Sequence, residues 1–413
     1  MKKVVTYLIK AVLLALGYLI PRNRRKIVFG AWCGWSYSDN PRYLFEFLFD
    51  KPEWRIVWVG GDSVRANLPI LPRNASYCRM GSLRSVFHLL SAGTWIFSHS
   101  VGDLTLLPLW GRCLIIDTGH GAALKRLGVL KPSHSSGKET AKCCLSTKRS
   151  PLMRMRDRML NKKIFQVAPS LFYWRMIFDG YPGMFQTAAL LFGSPTLDYI
   201  IKNKSNSNYK AILKAEIAQR FSLPQDKKWI VYAPTFRWTV HKNFTFLNLD
   251  NARRNRLDSV LEKKNAIIVE KLHPGVIKNG TSGHVGSVYS INGVTARSLS
   301  PHALWLAADM LISDYSSCVI DFHMQDKPVI HYAYDLDYYV TEDSGLIHNL
   351  DDVKFGPIVK TIDDLVSTLD GDWASFRNIK GILIRDVIEH EDGHSCEKYL
   401  EFIEQRHGLS AMP

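Results

Sequence analysis

Seven cysteines, at positions 33, 78, 113, 143, 144, 318 and 396, are an odd number, and no C-x-x-C pair occurs among them. A disulfide framework and a cysteine-rich zinc site are thereby excluded, and a reducing cytosolic compartment is the expected setting. No G-x-G-x-x-G is present. Ser136-Gly137-Lys138-Glu139-Thr140 has the outline of a phosphate loop, but Pro132 stands at its first glycine and Glu139 at the hydroxyl residue after lysine. His390, His394 and Cys396 are spaced loosely like metal ligands, yet Asp392-Gly393 between them reads as a turn. No cluster of carboxylates proposes a metal site, although a divalent ion could still accompany a bound nucleotide. Internal repeats and nucleic-acid-binding modules are absent too.

What the chain does have is a surplus of cations. Its 413 residues carry 53 Lys and Arg against 38 Asp and Glu, a formal charge of +15, in a sequence that is 46% hydrophobic. The apolar content excludes a disordered chain, and the length suggests about two or three domains. The charge attracts phosphate-bearing partners, whether nucleic acid, anionic lipid or a polyanionic substrate.

Val4 to Ile20 is mostly apolar, with Lys2 and Lys3 before it and Arg22, Arg24, Arg25 and Lys26 after it. As a helix it would be roughly 25 Å long, slightly short of a ~30 Å hydrocarbon core. No small-x-small cleavage site follows, so a removed signal peptide does not fit. Residues 1–25 are expected to form an interfacial helix with a basic flank, lying on an anionic membrane. The alternative is a helix packed on the body of the protein.

From Ile27 onward short apolar runs alternate with amphipathic stretches. Strands are expected at Ile27–Trp32, Arg55–Gly60, Thr94–His99 and Cys113–Asp117, with helices at Pro41–Phe49 and Ser82–Ala92. A second block places strands at Trp229–Ala233, Ala266–Lys271, Met310–Ser313 and Pro328–Tyr332, with helices at Asn251–Lys264, Pro301–Ala308 and Ile362–Leu369. Strand-helix-strand order at this spacing implies an α/β fold of two Rossmann-like parallel sheets, over about 26–205 and 206–413. A run of Lys and Arg over about 137–163 reads as a basic insertion in the first of them.

Ligands of open parallel sheets bind beyond the carboxyl ends of strands. After Cys113–Asp117 comes Thr118-Gly119-His120-Gly121, with Lys125 a turn later. A histidine between two glycines at such a turn suits a general base. After Ala266–Lys271 comes Leu272-His273-Pro274, where proline fixes the direction of His273. If the halves face each other across a cleft, the two imidazoles can act on one substrate. Asp314, Ser316 and Ser317 follow Met310–Ser313, and the two serines offer hydroxyls for a phosphate, although an ordinary serine N-cap reads the same way. Thr235 and Arg237 follow Trp229–Ala233, and Arg237 suits phosphate.

Taken in order, KIVFGAWCGWSYSDNPRYLFEFL at 26–48, HGAALKRLG at 120–128, YAPTFR at 232–237, KLHP at 271–274, SDYSSCVIDF at 313–322, YDLDYYVTEDSGL at 334–346, FGPIV at 355–359 and EDGHSCEKYLEFI at 391–403 resemble the CDP-glycerol glycerophosphotransferase family, which includes teichoic acid primases and polymerases and related capsule polymerases. The resemblance implies a GT-B-like pair of domains and peripheral, monotopic attachment to the cytoplasmic face of the cell membrane. It implies transfer of a polyol phosphate from a CDP-glycerol-type donor to a lipid-linked or polyanionic acceptor. It makes His120 the general base and His273 its counterpart at the transferred phosphate. Ser316, Ser317, Arg237, Thr235, Lys271 and Asp314 fall to the CDP donor and its phosphates, and Lys125 and Gly121 to acceptor positioning. No covalently bound cofactor is implied. Gly193-Ser194-Pro195-Thr196-Leu197-Asp198 lacks the arginine and asparagine common in relatives, and Ala122-Ala123 stands where Thr-Pro is common, so donor or acceptor choice can differ. A glycosyltransferase using a nucleotide sugar and a non-catalytic polyanion-binding adaptor stay open as rival readings.

Overall fold

The computed structural model describes residues 2–132, 159–181, 189–237, 243–272, 283–291 and 299–409, with side chains from residue 8 onward. His273 and residues 137–158 of the basic run lie outside the described residues.

The first half forms a six-stranded sheet from β1 (Asn23–Phe29), β2 (Arg55–Gly60), β3 (Ala75–Arg79), β4 (Ala92–Phe97), β5 (Leu114–Asp117) and β6 (Ile164–Gln166), in the order β3-β2-β1-β4-β5-β6. All its strand pairs are parallel. The second half forms a seven-stranded sheet from β7 (Lys228–Tyr232), β8 (Ala266–Glu270), β9 (Gly283–Val285), β10 (Val288–Ser290), β11 (Met310–Ser313), β12 (Val329–Tyr332) and β13 (Ile358–Val359), in the order β13-β12-β11-β7-β8-β10-β9. Only β9 runs antiparallel to its neighbour. The central strands read as near-continuous apolar runs because both faces are covered, as parallel sheets require. The edge strands β3, β6, β9 and β13, and β10 beside β9, carry too few buried apolar residues to have signalled themselves.

On one face of the first sheet Ile27, Phe29, Ile56 and Trp58 pack against α2 (Asp39–Phe47) and the C-terminal helix Ser395–His407 through Phe45, Tyr399 and Ile403. The last helix thus crosses back to the first sheet. On the other face Val28, Val57 and Trp95 meet the helix Leu83–Ser91 and part of α1 (Lys2–Leu19). Leu13, Leu14, Leu16 and Ile20 of this N-terminal segment lie against that core. Arg22 locks its end by donating to the carbonyls of Gly17, Leu89, Ala92, Leu109 and Trp110 at 2.6–3.1 Å. The helix is therefore packed on the body along one side, while Leu8, Ile9, Val12 and Leu19 stay exposed on the other. No helix among the described residues is long and apolar enough to cross a membrane.

Two strand ends differ from the periodicity. β1 stops at Phe29 and β4 at Phe97, so Trp32 and His99 belong to the loops that follow. Both loops lie where strand order reverses, between β1 and β4, which is the position where doubly wound sheets open a crevice. The second sheet reverses between β7 and β11, and Thr235 and Asp314 sit just beyond those strands.

Candidate active site

The loop after β5 carries His120 to the second domain. Gly119 and Gly121 hold φ of 61° and 114°, which a β-carbon disfavours, and this bends the backbone sharply out of the strand. Asn40, buried at the start of α2, clamps the bend by donating to the carbonyls of Thr118 (3.0 Å) and Gly119 (3.2 Å) and accepting from Thr196 N–H (3.2 Å). Tyr173 donates to the Gly121 carbonyl at 2.9 Å. A β-carbon on Gly121 would stand 3.5 Å from Ser317 Oγ, so the histidine turn of the first sheet rests directly on the serine pair of the second. Further along the loop Lys125 bridges to Leu346, Arg126 N–H donates to Gly345 and Ile347 N–H donates to Leu124. Tyr43 of α2 adds bonds to Ser300 (2.9 Å) and His302 (3.1 Å). The carboxyl edges of the two sheets therefore meet.

His120 Nδ1 faces the Ser98 carbonyl at 3.4 Å. A carbonyl only accepts, so Nδ1 carries the proton and Nε2 keeps its lone pair. The ring is exposed to the gap but has protein on both sides. Loss of surrounding water, then the neighbouring His99, push its pKa down to about 4, against the opposing pull of Asp39. It is a neutral base at physiological pH. His99 stacks on it with ring centres 4.2 Å apart and planes within 3°, and Trp32 lies 4.5 Å beyond His99. His99 Nδ1 also meets Ser98 Oγ at 2.8 Å.

This column stands on strained backbone. Trp32, Cys33 and Asp39 have φ of 49°, 51° and 60°, a conformation that costs an L-residue about 1–2 kcal/mol. It persists because the surroundings dictate it. Asp103, fully buried, accepts from Cys33 N–H (2.7 Å), Ser98 N–H (3.1 Å) and His99 N–H (2.9 Å), tying the loop after β1 to the loop after β4. Asp39 Oδ2 accepts from Trp32 Nε1 at 2.5 Å. Burial raises the Asp39 carboxyl pKa, while His120 and His302 pull it down.

Across the gap, Ser316 and Ser317 are half-buried at the start of the short helix Cys318–His323, and the Ser317 hydroxyl makes no capping bond to it. The Thr235 hydroxyl is buried and has no partner among the described residues. Lys271, at the end of β8, has its amine pKa lowered by burial, with Cys318 opposing. Lys125 lies on the interface rather than on the first domain alone: burial lowers its pKa, and Asp343 and Asp314 of the second domain raise it.

Arg237 and Asp314 are placed differently from what the sequence suggested. Arg237 is wholly buried. It pairs with Asp314 through Nη1, bonds the Thr235 carbonyl (2.6 Å) and grips Asp335 through Nε (3.0 Å) and Nη2 (2.7 Å), with Tyr315, Tyr334 and Tyr339 around it. Asp314 is equally committed, accepting also from Thr235 N–H (2.8 Å) and Tyr315 N–H (2.6 Å). Behind it, buried His331 donates from Nδ1 to the Asp314 carbonyl (2.8 Å) while Nε2 accepts from Phe355 N–H (3.0 Å), which fixes its tautomer. Burial lowers the Arg237 pKa, but the two aspartates raise it further, so the guanidinium stays charged. Both residues are struts that shape the loops. Asn40, Asp39, His99 and Asp103 escaped notice because His99 was counted inside a strand, and the others lie in the first turn of α2 or in the short helical turn Val101–Asp103 rather than directly after a strand. Among the described residues no three His, Cys, Asp or Glu side chains converge as a metal site.

The teichoic acid poly(glycerol phosphate) polymerase of Bacillus spizizenii is 24% identical over 85% of this chain and 84% of its own length. The teichoic acid glycerol-phosphate transferase of Staphylococcus aureus is 24% identical over 92% of this chain and 93% of its own. Among solved structures, the wall teichoic acid polymerase TagF superposes with a TM-score of 0.73 at 21% identity, covering 97% of this chain and 93% of that one, which establishes the GT-B-like fold. The profile of the CDP-Glycerol:Poly(glycerophosphate) glycerophosphotransferases matches residues 13–405, and the chain is an enzyme of that phosphotransferase family.

Proposed function

We propose that the protein transfers glycerol phosphate, or a related polyol phosphate, from CDP-glycerol or its analogue to a hydroxyl of a lipid-linked or polymeric acceptor, releasing CMP. The observation that carries this reading is the seating of the His120-Gly121 turn on Ser317, which brings the loop of a neutral imidazole against a serine hydroxyl at the meeting edges of the two sheets. The acceptor oxygen attacks the polyol-bearing phosphorus in line, a new P–O bond forms, and the bond to CMP breaks. His120 Nε2 takes the hydroxyl proton. Ser316, Ser317, Thr235 and Lys271 serve the phosphoryl oxygens, where electrostatic stabilisation does most of the work in phosphoryl transfer. The reading also assigns His273 to the transferred phosphate, from its place in the sequence after β8. CMP release from CDP-glycerol, CDP-ribitol and UDP-sugars with a short glycerol phosphate acceptor tests it. CMP should form from a CDP-polyol, and His120→Ala should slow it by about 10²–10⁴-fold with donor affinity kept. UDP release from a UDP-sugar, or full activity of His120→Ala, would overturn the reading.

The same proposal places the protein on the cytoplasmic face of the membrane. Its supports are the exposed Leu8, Ile9, Val12 and Leu19 of α1 and a basic recess at the end of that helix lined by Arg22, Arg24, Arg25 and Arg55. Because Arg22 and the inner face of α1 belong to the core, the sound test is Leu8→Ser with Val12→Ser rather than deletion. This variant should sediment less with phosphatidylglycerol vesicles while keeping activity on soluble acceptors; unchanged sedimentation would refute this attachment.

A further inference from the structure

One helix, α2, is bonded to both halves of the candidate site. Asn40 and Tyr43, three residues apart, share a face of it, and both are buried. Asn40 clamps the carbonyls of Thr118 and Gly119, directly before His120. Tyr43, one turn later, reaches the second domain, where its hydroxyl meets Ser300 Oγ at 2.9 Å and His302 Nδ1 at 3.1 Å. His302 is buried in turn, and its Nε2 faces Asp321 Oδ2 at 3.5 Å. Ser317 has helical angles (φ −60°, ψ −18°), so Asp321, four residues on, lies one turn further along the same side of the short helix Cys318–His323. A chain of polar contacts thus runs from the turn that carries His120, through α2 and His302, to the helix that begins at the serine pair.

The chain has a direction. A carboxylate only accepts, so Nε2 of His302 carries the proton toward Asp321 and Nδ1 is left to accept from the Tyr43 hydroxyl, whose oxygen in turn accepts from Ser300. Cohesion does not require these groups. Tyr43 already stacks on Tyr199 of the helix Pro195–Asn203, with ring centres 4.7 Å apart and planes at 27°. Stacked rings can slide over one another, whereas a hydroxyl bonded to an imidazole fixes a distance and an angle. Buried polar groups cost stability unless each is satisfied, and here they are spent on register between the domains.

We propose that Tyr43 and His302 are positioning residues that hold the serine pair of the second domain at its working distance from the His120 turn of the first. This rests on the phosphotransfer reading for the roles of His120 and Ser317, but the link between the domains can be followed without turnover. Tyr43→Phe keeps the ring and its stack while removing the hydroxyl. With CDP-glycerol and tri(glycerol phosphate), its kcat for CMP release should fall about ten- to a hundredfold, the scale of a small misplacement of reacting groups. The affinity for CDP, measured by calorimetry without acceptor, should stay at the wild-type value. His302→Gln, whose amide can accept from Tyr43 and donate to Asp321, should keep most of kcat, whereas His302→Leu should lose it. Tyr43→Phe combined with His302→Leu should cost no more than the worse single change, because both break one chain. In hydrogen exchange read by mass spectrometry, Tyr43→Phe should speed exchange over residues 118–124 and 315–322 and leave β8 as slow as before. Unchanged kcat in Tyr43→Phe would overturn the proposal, whatever the exchange shows. So would equal losses in His302→Gln and His302→Leu, since the imidazole would then not act by bridging Tyr43 to Asp321. Faster exchange in both loops of a protein that releases no CMP from any donor would uphold the link and overturn the transfer reading instead.

Discussion

At the carboxyl edge of the second sheet, Arg237 lies among three tyrosines and two aspartates with its donors spent on protein, whereas at the matching edge of the first sheet Trp32 and Asp39 hold left-handed angles and Trp35 faces water. Both edges sit where strand order reverses, so topology alone does not distinguish them. Charge pairing does. Around Asp314 a buried ion-pair network freezes the loops that present Thr235 and Ser316 before any substrate arrives. Around His120 strain is stored in the backbone and the rings stay accessible. In the proposed transfer the difference would give a rigid cradle for a compact charged group opposite a more open edge, with preorganisation concentrated on the phosphate side.

Breaking the rigid side should have the largest consequence. Arg237→Met leaves Asp314 and Asp335 buried without their cation, and removing one partner of such a network costs about 3–5 kcal/mol. The midpoint of urea unfolding should fall accordingly. Arg237→Lys should recover only part of it, since an ammonium cannot reproduce the fork across two carboxylates and a carbonyl. If Arg237→Met keeps wild-type stability but loses donor affinity, Arg237 is a phosphate ligand after all and the contrast between the two edges disappears.

The central strands were legible because parallel sheets bury both faces: Arg55–Gly60 and Met310–Ser313 coincide with the expected spans, and Asn251–Lys263 differs by one residue. The same rule places His120, Ser316 and Ser317 just past buried strands, and the histidine turn meets Ser317 there. Arg237 obeys the same rule yet lies buried, because a sequence does not reveal that Asp314 and Asp335, respectively 77 and 98 residues away, will close on it. Trp32 and His99 were hidden by β-propensity, which extended two strands past their true ends. Left-handed angles at Trp32, Cys33 and Asp39 are tertiary facts, seen here with Asp103 holding the Cys33 N–H and Asp39 holding the Trp32 indole, and local pattern carries no trace of them.

The open side can be probed more gently through its titration. His120 has its pKa lowered from 6.5 to about 4, first by lost hydration and next by His99, with Asp39 opposing. The unfolded chain therefore binds more protons at this site between about pH 4 and 6.5. The stability linked to neutral His120 is present above 6.5 and is lost as pH falls through that window. Catalysis follows the same group in the folded state, so the acid limb of kcat/KM for CMP release should lie near 4 instead of at an ordinary imidazole value. His99→Gln removes the neighbour that adds to the depression and should move the limb upward, while Asp39→Asn should move it downward. Buried Asp117, whose pKa is pushed up to about 7, can contribute a second inflection, separable because Asp117→Asn abolishes it. An acid limb at 6.5, unmoved by His99→Gln, would mean that the stacked rings do not set the base, and the first edge would then be no more specialised than the second.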